Sequence, residues 1–192
     1  MTIKTIIQPT EEPITLQEAK AQLRIEISMD EDDSLIEGLI IPTAREMVEN
    51  DTRRSIMTQT RTLQLDNLSD CFEIMDGAVQ SIVDITYKDL DNVTQRLAST
   101  DYELFIREES ALVVPEHDKT WPDALNRPGS VTVQFVAGYD DAESVPKRLK
   151  QAMMMLISDF YENREDIIIG ASTAENIFGY DRLIMPYVSW RF

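Results

Sequence analysis

The sequence predicts an α+β protein, in which a small helical bundle of about four helices carries a β-rich insertion of antiparallel hairpins. Apolar residues recur at helical spacing before residue 54 and again after residue 140. Between residues 55 and 139, short runs of alternating apolar and polar residues are separated by turn-forming residues. We therefore expect N-terminal helices in 1–54, a β-rich insertion in 55–139 and C-terminal helices with a terminal tail in 140–192, all within one folded unit.

The first predicted helix lies in the sequence "ITLQEAKAQLRI". Thr15 and Glu18 have the spacing of a capping box, in which each side chain satisfies a free backbone amide of the first turn. Apolar side chains then fall on one face at Leu16, Ala19 and Leu23. This spacing predicts a short helix that ends near residue 24.

A second helix is predicted through about Asn50, after four acids whose charge the helix dipole favours at the start. Its apolar face consists of Leu35, Ile36, Leu39, Ile40, Ala44, Met47 and Val48. Pro42 lies inside this pattern and lacks a backbone N–H, so it should kink the helix near Gly38 unless two shorter helices meet there. Arg53 and Arg54 follow the helix, and we interpret them as capping, solvated cations.

The β-rich block begins with a predicted strand at 57–66, where leucines alternate with polar residues. Two hairpins follow, with turns at Asp89–Asn92 and Glu108–Ser110. The last strand, in "SVTVQFVAGY", places Val131, Val133 and Phe135 inward and stops at Gly138.

A third helix is predicted to begin after Ser144, which can cap it, and to end at about Asn163. Pro146 is tolerated because it lies in the first turn. Its apolar stripe consists of Leu149, Ala152, Met153, Leu156, Ile157 and Phe160. Met154 and Met155 are open to two interpretations, packing in the core or against a neighbouring subunit. A loop, "EDIIIGASTAENIFG", then leads to a short closing helix at 180–185, which Pro186 ends.

The composition is strongly acidic, with 35 Asp and Glu against 18 Lys and Arg and a formal net charge of −17. Such a surface repels phosphate backbones, which argues against affinity for DNA. The acidic surface either serves solubility alone or forms a negative surface along which DNA moves without binding.

The single cysteine, Cys71, excludes an internal disulfide framework. Neither a signal peptide nor an apolar run of about 18 residues is apparent. We therefore expect a cytosolic fold.

We find no catalytic constellation and expect no enzyme and no cofactor. His117 lies alone among acids in a loop, and Cys71 has no flanking cation and no cysteine partner for a zinc site. The acidic runs "DEDDS" and "DLDNVT" lack the ligand spacing and central glycine of a calcium loop. They are explained by a helix start and a hairpin turn, with a weak Mg²⁺ or Ca²⁺ site as the alternative.

The chain ends in "PYVSWRF", which is unusually aromatic for a terminus. The segment therefore either folds back on its own core or is presented to another protein. Aromatic residues and arginine dominate interface hot spots, which is consistent with the second interpretation.

Four stretches together resemble a known family: "ITLQEAKAQLRI", "DEDDSLIEGLI…AREMVENDTRRSIMTQT", "VTVQFVAGYDDAESVPKRLKQAMMMLISDFYENRED" and the terminal "PYVSWRF". In order and spacing they are similar to the head–tail connector, or adaptor, proteins of long-tailed bacteriophages, in the longer branch with a β-rich insertion. The similarity extends from Ile14 to Phe192. Pro42 departs from it by interrupting a helix expected to be continuous in relatives.

This resemblance implies a structural virion protein, made in the host cytoplasm, at the head–tail interface. Its copies would form a homo-oligomeric ring, usually of about twelve, beneath the portal protein. The ring would extend the DNA channel and dock a stopper or tail-completion protein, with no membrane involved. Portal docking would use the terminal residues Tyr187, Val188, Ser189, Trp190, Arg191 and Phe192.

A channel that conducts DNA without binding it gives the acidity a purpose. The candidates for lining the bore are Asp30, Glu31, Asp32, Asp33, Asp140 and Asp141. The alternative function is a DNA-packaging accessory factor that contacts terminase or DNA. That alternative would require a basic stripe or stacking aromatics, and the sequence has neither.

Overall fold

The computed structural model describes residues 2–68, 71–163 and 177–189. The chain divides into two compact units: a β unit, Met1–Thr10 with Thr58–Tyr139, and a helical unit, Glu11–Met57 with Asp140–Phe192. The strands are β1 (Thr2–Ile7), β2 (Gln59–Leu65), β3 (Phe72–Ile74), β4 (Val79–Lys88), β5 (Thr94–Arg96), β6 (Tyr102–Ile106), β7 (Ala111–Pro115) and β8 (Val131–Ala137). The helices are α1 (Leu16–Leu23), α2 (Asp33–Leu35), a π-helical turn (Ile36–Ile40), α3 (Ile41–Thr52), α4 (Lys147–Glu162), α5 (Ile177–Ile184) and a 3₁₀ turn (Met185–Tyr187). The predicted α+β fold class is confirmed.

The β unit consists of two antiparallel sheets, one in the order β1-β2-β8-β4-β5 and one in the order β3-β7-β6. Strand β8 is central in the first sheet and pairs with both β2 and β4. Val131, Val133 and Phe135 are fully buried, as their alternation predicts, and the backbone of Gly138 adopts a φ of 121° just beyond the strand. The side chains of both sheets meet in one apolar core.

The predicted strands and both predicted hairpins are present. In the first hairpin turn, the side chain of Asp89 accepts hydrogen bonds from the backbone amides of Asp91 and Val93, and Asn92 adopts a positive φ. Two strands were not predicted. β3 has only three residues, and β1 is an edge strand whose side chains are mostly exposed, so neither shows a clear apolar alternation.

Helix α1 begins with the predicted capping box. Thr15 Oγ1 accepts the amide of Glu18 at 3.2 Å, and Glu18 Oε2 accepts the amide of Thr15 at 2.8 Å. The backbone hydrogen bond from Thr15 is the main cause of the lowered pKa of the Glu18 carboxyl. Arg24 ends the helix in the left-handed conformation.

The second predicted helix is present, but its middle is a π-helical turn at the point where Pro42 removes a backbone donor. The amide of Ile41 donates to the carbonyl of Ile36 in this turn. Because a π turn adds a residue, it shifts the buried face along the helix. Leu39 and Met47, which we placed on the apolar face, are therefore 58% and 41% exposed, which corrects that assignment.

The buried basic side chains of Lys20 and Arg45 tie segments of the helical unit together. The ammonium group of Lys20, which is 2% exposed, donates to the carbonyl of Met29 at 2.6 Å and lies 2.5 Å from Asp33 Oδ1. Arg45 contacts Glu12 Oε2 through Nε and Glu49 Oε2 through Nη1, both at 2.8 Å. Buried charges persist only when paired in this way.

Helix α4 buries the predicted stripe apart from Phe160, which is half-buried. Its start differs from the prediction, because Pro146 and not Ser144 occupies the N-cap. The amide of Ser144 instead donates to Asp141 Oδ1 at 2.7 Å within the preceding loop. Met155 Cε lies only 3.2 Å from where a Cβ would stand at Gly179, so this methionine packs against α5 of its own chain.

Candidate functional site: the C-terminal segment and the end of helix α3

The C-terminal segment returns to the end of α3 through three contacts. The hydroxyl of Tyr180 donates to Asp51 Oδ2 at 2.7 Å. The guanidinium carbon of Arg54 lies 5.8 Å from the ring centroid of Tyr187, and the amide of Ser189 donates to the carbonyl of Thr52 at 3.1 Å. Ile184 and Ser189 are both buried. The described part of the segment therefore packs on its own helical unit.

The end of α3 can bind the returning segment because the last carbonyls of a helix accept no hydrogen bond from within the helix. Arg53, in the left-handed conformation, ends the helix as its predicted capping role requires. The interpretation of Arg54 as a solvated cation is wrong, since its residue is only 5% exposed. Its amide donates to the carbonyl of Glu49 at 3.2 Å, while its side chain faces the Tyr187 ring.

The predicted docking residues fall into two groups. Tyr187 and Val188 are half-buried and Ser189 is buried. Trp190, Arg191 and Phe192 lie outside the described residues. The segment thus folds back at least as far as Ser189, which sequence reasoning posed as one of two alternatives. The predicted loop at 165–179 also lies largely outside the described residues, although its end, from Ile177, begins α5.

Replacing Tyr180 with phenylalanine tests the first of these contacts, and we expect a loss of about 1 kcal/mol in the free energy of unfolding. Burial, followed by the hydrogen bond to Asp51, raises the pKa of the Tyr180 hydroxyl above its ordinary value near 10. Because the folded state holds this proton more tightly, the contribution is present below pH 10 and is lost as the pH rises above it. Urea unfolding of the unsubstituted protein and of Tyr180→Phe, at pH 7 and at pH 11, measures the difference in their free energies of unfolding. An equal difference at the two pH values would contradict the hydrogen bond between Tyr180 and Asp51.

The six acids proposed for the channel lie in two places. Asp32 accepts the hydroxyl of Tyr161 at 2.6 Å, and Asp33 pairs with Lys20, so both are engaged within the helical unit. The exposed members are Asp30, Glu31, Asp140 and Asp141. The hydrogen bond from the amide of Ser144 is the first cause of the lowered pKa of Asp141.

His117 and Cys71, the residues considered for chemistry, are both exposed. The side chain of His117 is 87% exposed and its Nδ1 lies 3.1 Å from Asp118. Cys71 is exposed. Within residues 2–68, 71–163 and 177–189, no group of three or more His, Cys, Asp or Glu side chains is placed to hold a metal ion. Among the helices of this described part, none is both long enough and apolar enough to cross a membrane.

The described residues border a cleft in each of the two units. One, of about 470 Å³, lies in the β unit and is bordered by the ion pair between Asp84 and Arg96 and by Tyr102. Burial is the main cause of the raised pKa of Tyr102. The other, of about 370 Å³, lies in the helical unit between the loop after α1 and Tyr161 of α4. Neither cleft brings together a nucleophile, a base and an activating group.

The described residues form a helical unit and a β unit, with a terminal segment that returns to its own helical unit as far as Ser189. The profile of the phage gp6-like head-tail connector protein family matches residues 13–112, more than half of the 192 residues. The chain therefore belongs to that family. The predicted resemblance is confirmed, and the family is one of structural components at the head–tail junction of the virion and not a class of enzymes.

Solved structures with the same fold come from gene transfer agent particles. A chain in the neck of an empty particle, computed with C6 symmetry, superimposes with a TM-score of 0.80 at 18% identity, over 100% of this chain and 97% of that chain. A chain in the virion of the native particle gives 0.79 at 19% identity, with the same coverage. A chain in the native neck computed with C12 symmetry gives 0.73 at 19% identity, again with the same coverage. No curated protein matches.

Proposed function

We propose that this protein forms the adaptor ring beneath the portal, where it extends the DNA channel and docks the stopper or tail-completion protein. The observation that carries the proposal is the membership of the head–tail connector family. The full-length similarity to chains from particle necks solved with sixfold and twelvefold symmetry supports a ring of identical copies.

Portal docking is assigned in this proposal to Tyr187, Val188, Ser189, Trp190, Arg191 and Phe192. The segment contacts the end of α3 as far as Ser189. In the sequence, Ser189 is followed directly by Trp190, Arg191 and Phe192. Residues of these types contribute most to protein–protein interfaces when they enter well-packed pockets.

The wall of the channel is assigned to exposed acids. Asp30, Glu31, Asp140 and Asp141 are exposed, whereas Asp32 accepts the hydroxyl of Tyr161 and Asp33 pairs with Lys20. With a net charge of −17 on each copy, a ring would present DNA with a repulsive wall along which it moves without specific binding.

Electron microscopy of the protein mixed with its cognate portal ring tests the function. The expected result is an added layer of density with the symmetry of the portal. Bare portals at high protein concentration would contradict the proposal. A salt-dependent shift of labelled DNA on mixing with the protein would instead favour the DNA-packaging alternative.

Deletion of Trp190–Phe192 tests the role of the tail. We expect this variant to lose docking at least about 100-fold, because it removes the hot-spot residues. Its melting temperature should stay close to that of the full chain, since the contacts of Tyr187 and Ser189 with α3 are retained. Surface plasmon resonance measures the affinity of each protein for the portal, and melting curves compare their stabilities. Docking that survives the deletion would show that other residues hold the portal.

A further inference from the structure

The π-helical turn and α3 share an exposed face that is partly apolar. We call it the α3 face, and it consists of Gly38, Leu39, Thr43, Glu46 and Met47, all of them exposed. Leu39 and Met47 are 58% and 41% exposed, and their spacing of eight residues places them on the same side of a helix. Because single exposed apolar side chains are common, this pair becomes informative only with independent support.

Gly38 supplies that support. It lies inside the π-helical turn, where glycine is less favourable than alanine because of its greater backbone freedom in the unfolded chain. Its φ is not among the positive values of the described residues, so an alanine fits the same backbone. Outside its own helical turn, no described atom lies within 4 Å of the place where a Cβ would stand. The described part of the chain thus gives no reason for the missing side chain, whereas a glycine lets another molecule approach the backbone closely.

The first turn of α4 carries exposed cations in an unfavourable place. Lys147 and Arg148 lie at the start of this helix, where the helix dipole disfavours positive charge. Lys150 in the same turn pairs with Glu18 at 3.6 Å, but no ion pair among the described residues includes Lys147 or Arg148. Copies with a net charge of −17 repel one another, so a contact between copies is most favourable where exposed cations of one meet an acid of the next.

The α3 face offers such an acid. The side chain of Glu46 is 53% exposed, and its only printed-range contact within the helix is a distant one, 3.8 Å from Nη2 of Arg45. A closed ring of identical copies requires a contact in which two different patches of the same chain meet. The α3 face, which is apolar and acidic, and the start of α4, which is cationic, are two such patches.

We propose that the α3 face of one copy binds the start of α4 of the next copy around the ring. In this contact the next copy covers Leu39 and Met47 and approaches the backbone closely at Gly38. The cations at the start of its α4 face Glu46. The occupant of the α3 face is therefore a second copy of this chain, and the inference rests on the proposed adaptor ring.

Titration of portal rings with the protein, followed by mass photometry, counts the copies bound to each ring. The unsubstituted protein should fill the ring cooperatively, because each bound copy offers a patch to the next. Leu39→Asp places a charge in the contact, so we expect the affinity between neighbouring copies to fall at least about 100-fold. Copies of this variant should then bind singly and without cooperativity. Its melting temperature should stay unchanged, because Leu39 is exposed.

Gly38→Gln separates assembly from stability. Glutamine is a better helix former than glycine, so the melting temperature should rise by about 2 °C, while its bulk should abolish cooperative filling. Ala21→Gln is the matched control, since it adds a similar side chain at an exposed position of α1 and should fill the ring like the unsubstituted protein. A lower melting temperature in Gly38→Gln would mean that the same chain occupies this space, and it would overturn the proposal.

Charge reversal tests the pairing across the contact. Glu46→Lys should weaken the affinity between neighbouring copies at least about tenfold, because it faces Lys147 and Arg148 with a like charge. Adding Lys147→Glu and Arg148→Glu to the same chain should restore this affinity to within about threefold of the unsubstituted protein. If the combined variant assembles no better than Glu46→Lys alone, these groups do not meet and the proposed contact is wrong.

The outcomes separate this inference from the adaptor function. If the unsubstituted protein fills the ring and Leu39→Asp and Gly38→Gln fill it equally well, the α3 contact is overturned and the adaptor function stands. If these variants bind the portal more weakly even as single copies, the α3 face binds the portal and not a second copy, which also overturns the inference. If the unsubstituted protein leaves the portal bare, the adaptor function fails and the inference fails with it.

Discussion

Replacing Arg45 with methionine is expected to lower the free energy of unfolding of the helical unit by about 3–5 kcal/mol. Arg45 is 2% exposed and pairs with Glu12, which precedes α1, and with Glu49 on its own helix. Removing the cation takes the guanidinium group of Arg45 away from the buried carboxylate of Glu49. Glu49 Oε1 also accepts the amide of Ile56 at 2.8 Å, so the chain beyond α3 would loosen as well.

The matched control for this prediction is Arg53→Met. Arg53 is exposed and ends the same helix, so the same substitution there should change the stability by less than about 0.5 kcal/mol. Urea unfolding followed by circular dichroism measures both variants, and hydrogen exchange of the peptides in α3 locates the effect. Equal losses in the two variants would mean that the buried ion pairs do not stabilise the helical unit.

Replacing Phe135 with alanine should destabilise the β unit by about 3–5 kcal/mol. Phe135 is fully buried on β8, the strand that pairs with both β2 and β4. Its loss removes apolar contacts between the two sheets and leaves a cavity in a region where neighbouring strands cannot readily collapse.

The control is Phe105→Ala on β6, where the side chain is 48% exposed. The same chemical change there should cost less than about 1 kcal/mol, because little buried surface is lost and no enclosed cavity forms. Hydrogen exchange of peptides from β2, β4 and β8 measures the stability of the sheet directly. A small effect for Phe135→Ala, comparable to that of Phe105→Ala, would contradict the placement of Phe135 in the core.

The regular elements could be predicted where one local pattern determines them. The capping box of Thr15 and Glu18, the alternation of Val131, Val133 and Phe135, and the turn at Asp89–Asn92 depend on residues close together in the chain. Each of these predictions is confirmed, because backbone donors are satisfied locally and strands alternate strictly.

Features that depend on distant contacts could not be predicted in this way. A proline inside a helical pattern indicates an irregularity, but the resulting π turn moves Leu39 and Met47 to the surface, which requires knowledge of how the turn is accommodated. Arg54 is buried and contacts Tyr187, which is 133 positions further along the chain. The aromatic character of the terminus was the only available signal for that contact, and it indicated docking elsewhere equally well.

The strand at Thr2–Ile7 has a consequence for the solubility of the β unit. It pairs with the outer edge of β2, while the other strands of its sheet come after residue 57 in the chain. Removal of residues 2–7 would expose β2 as an open edge, and an open edge favours aggregation. The sheet is therefore complete only when both segments of the chain are present.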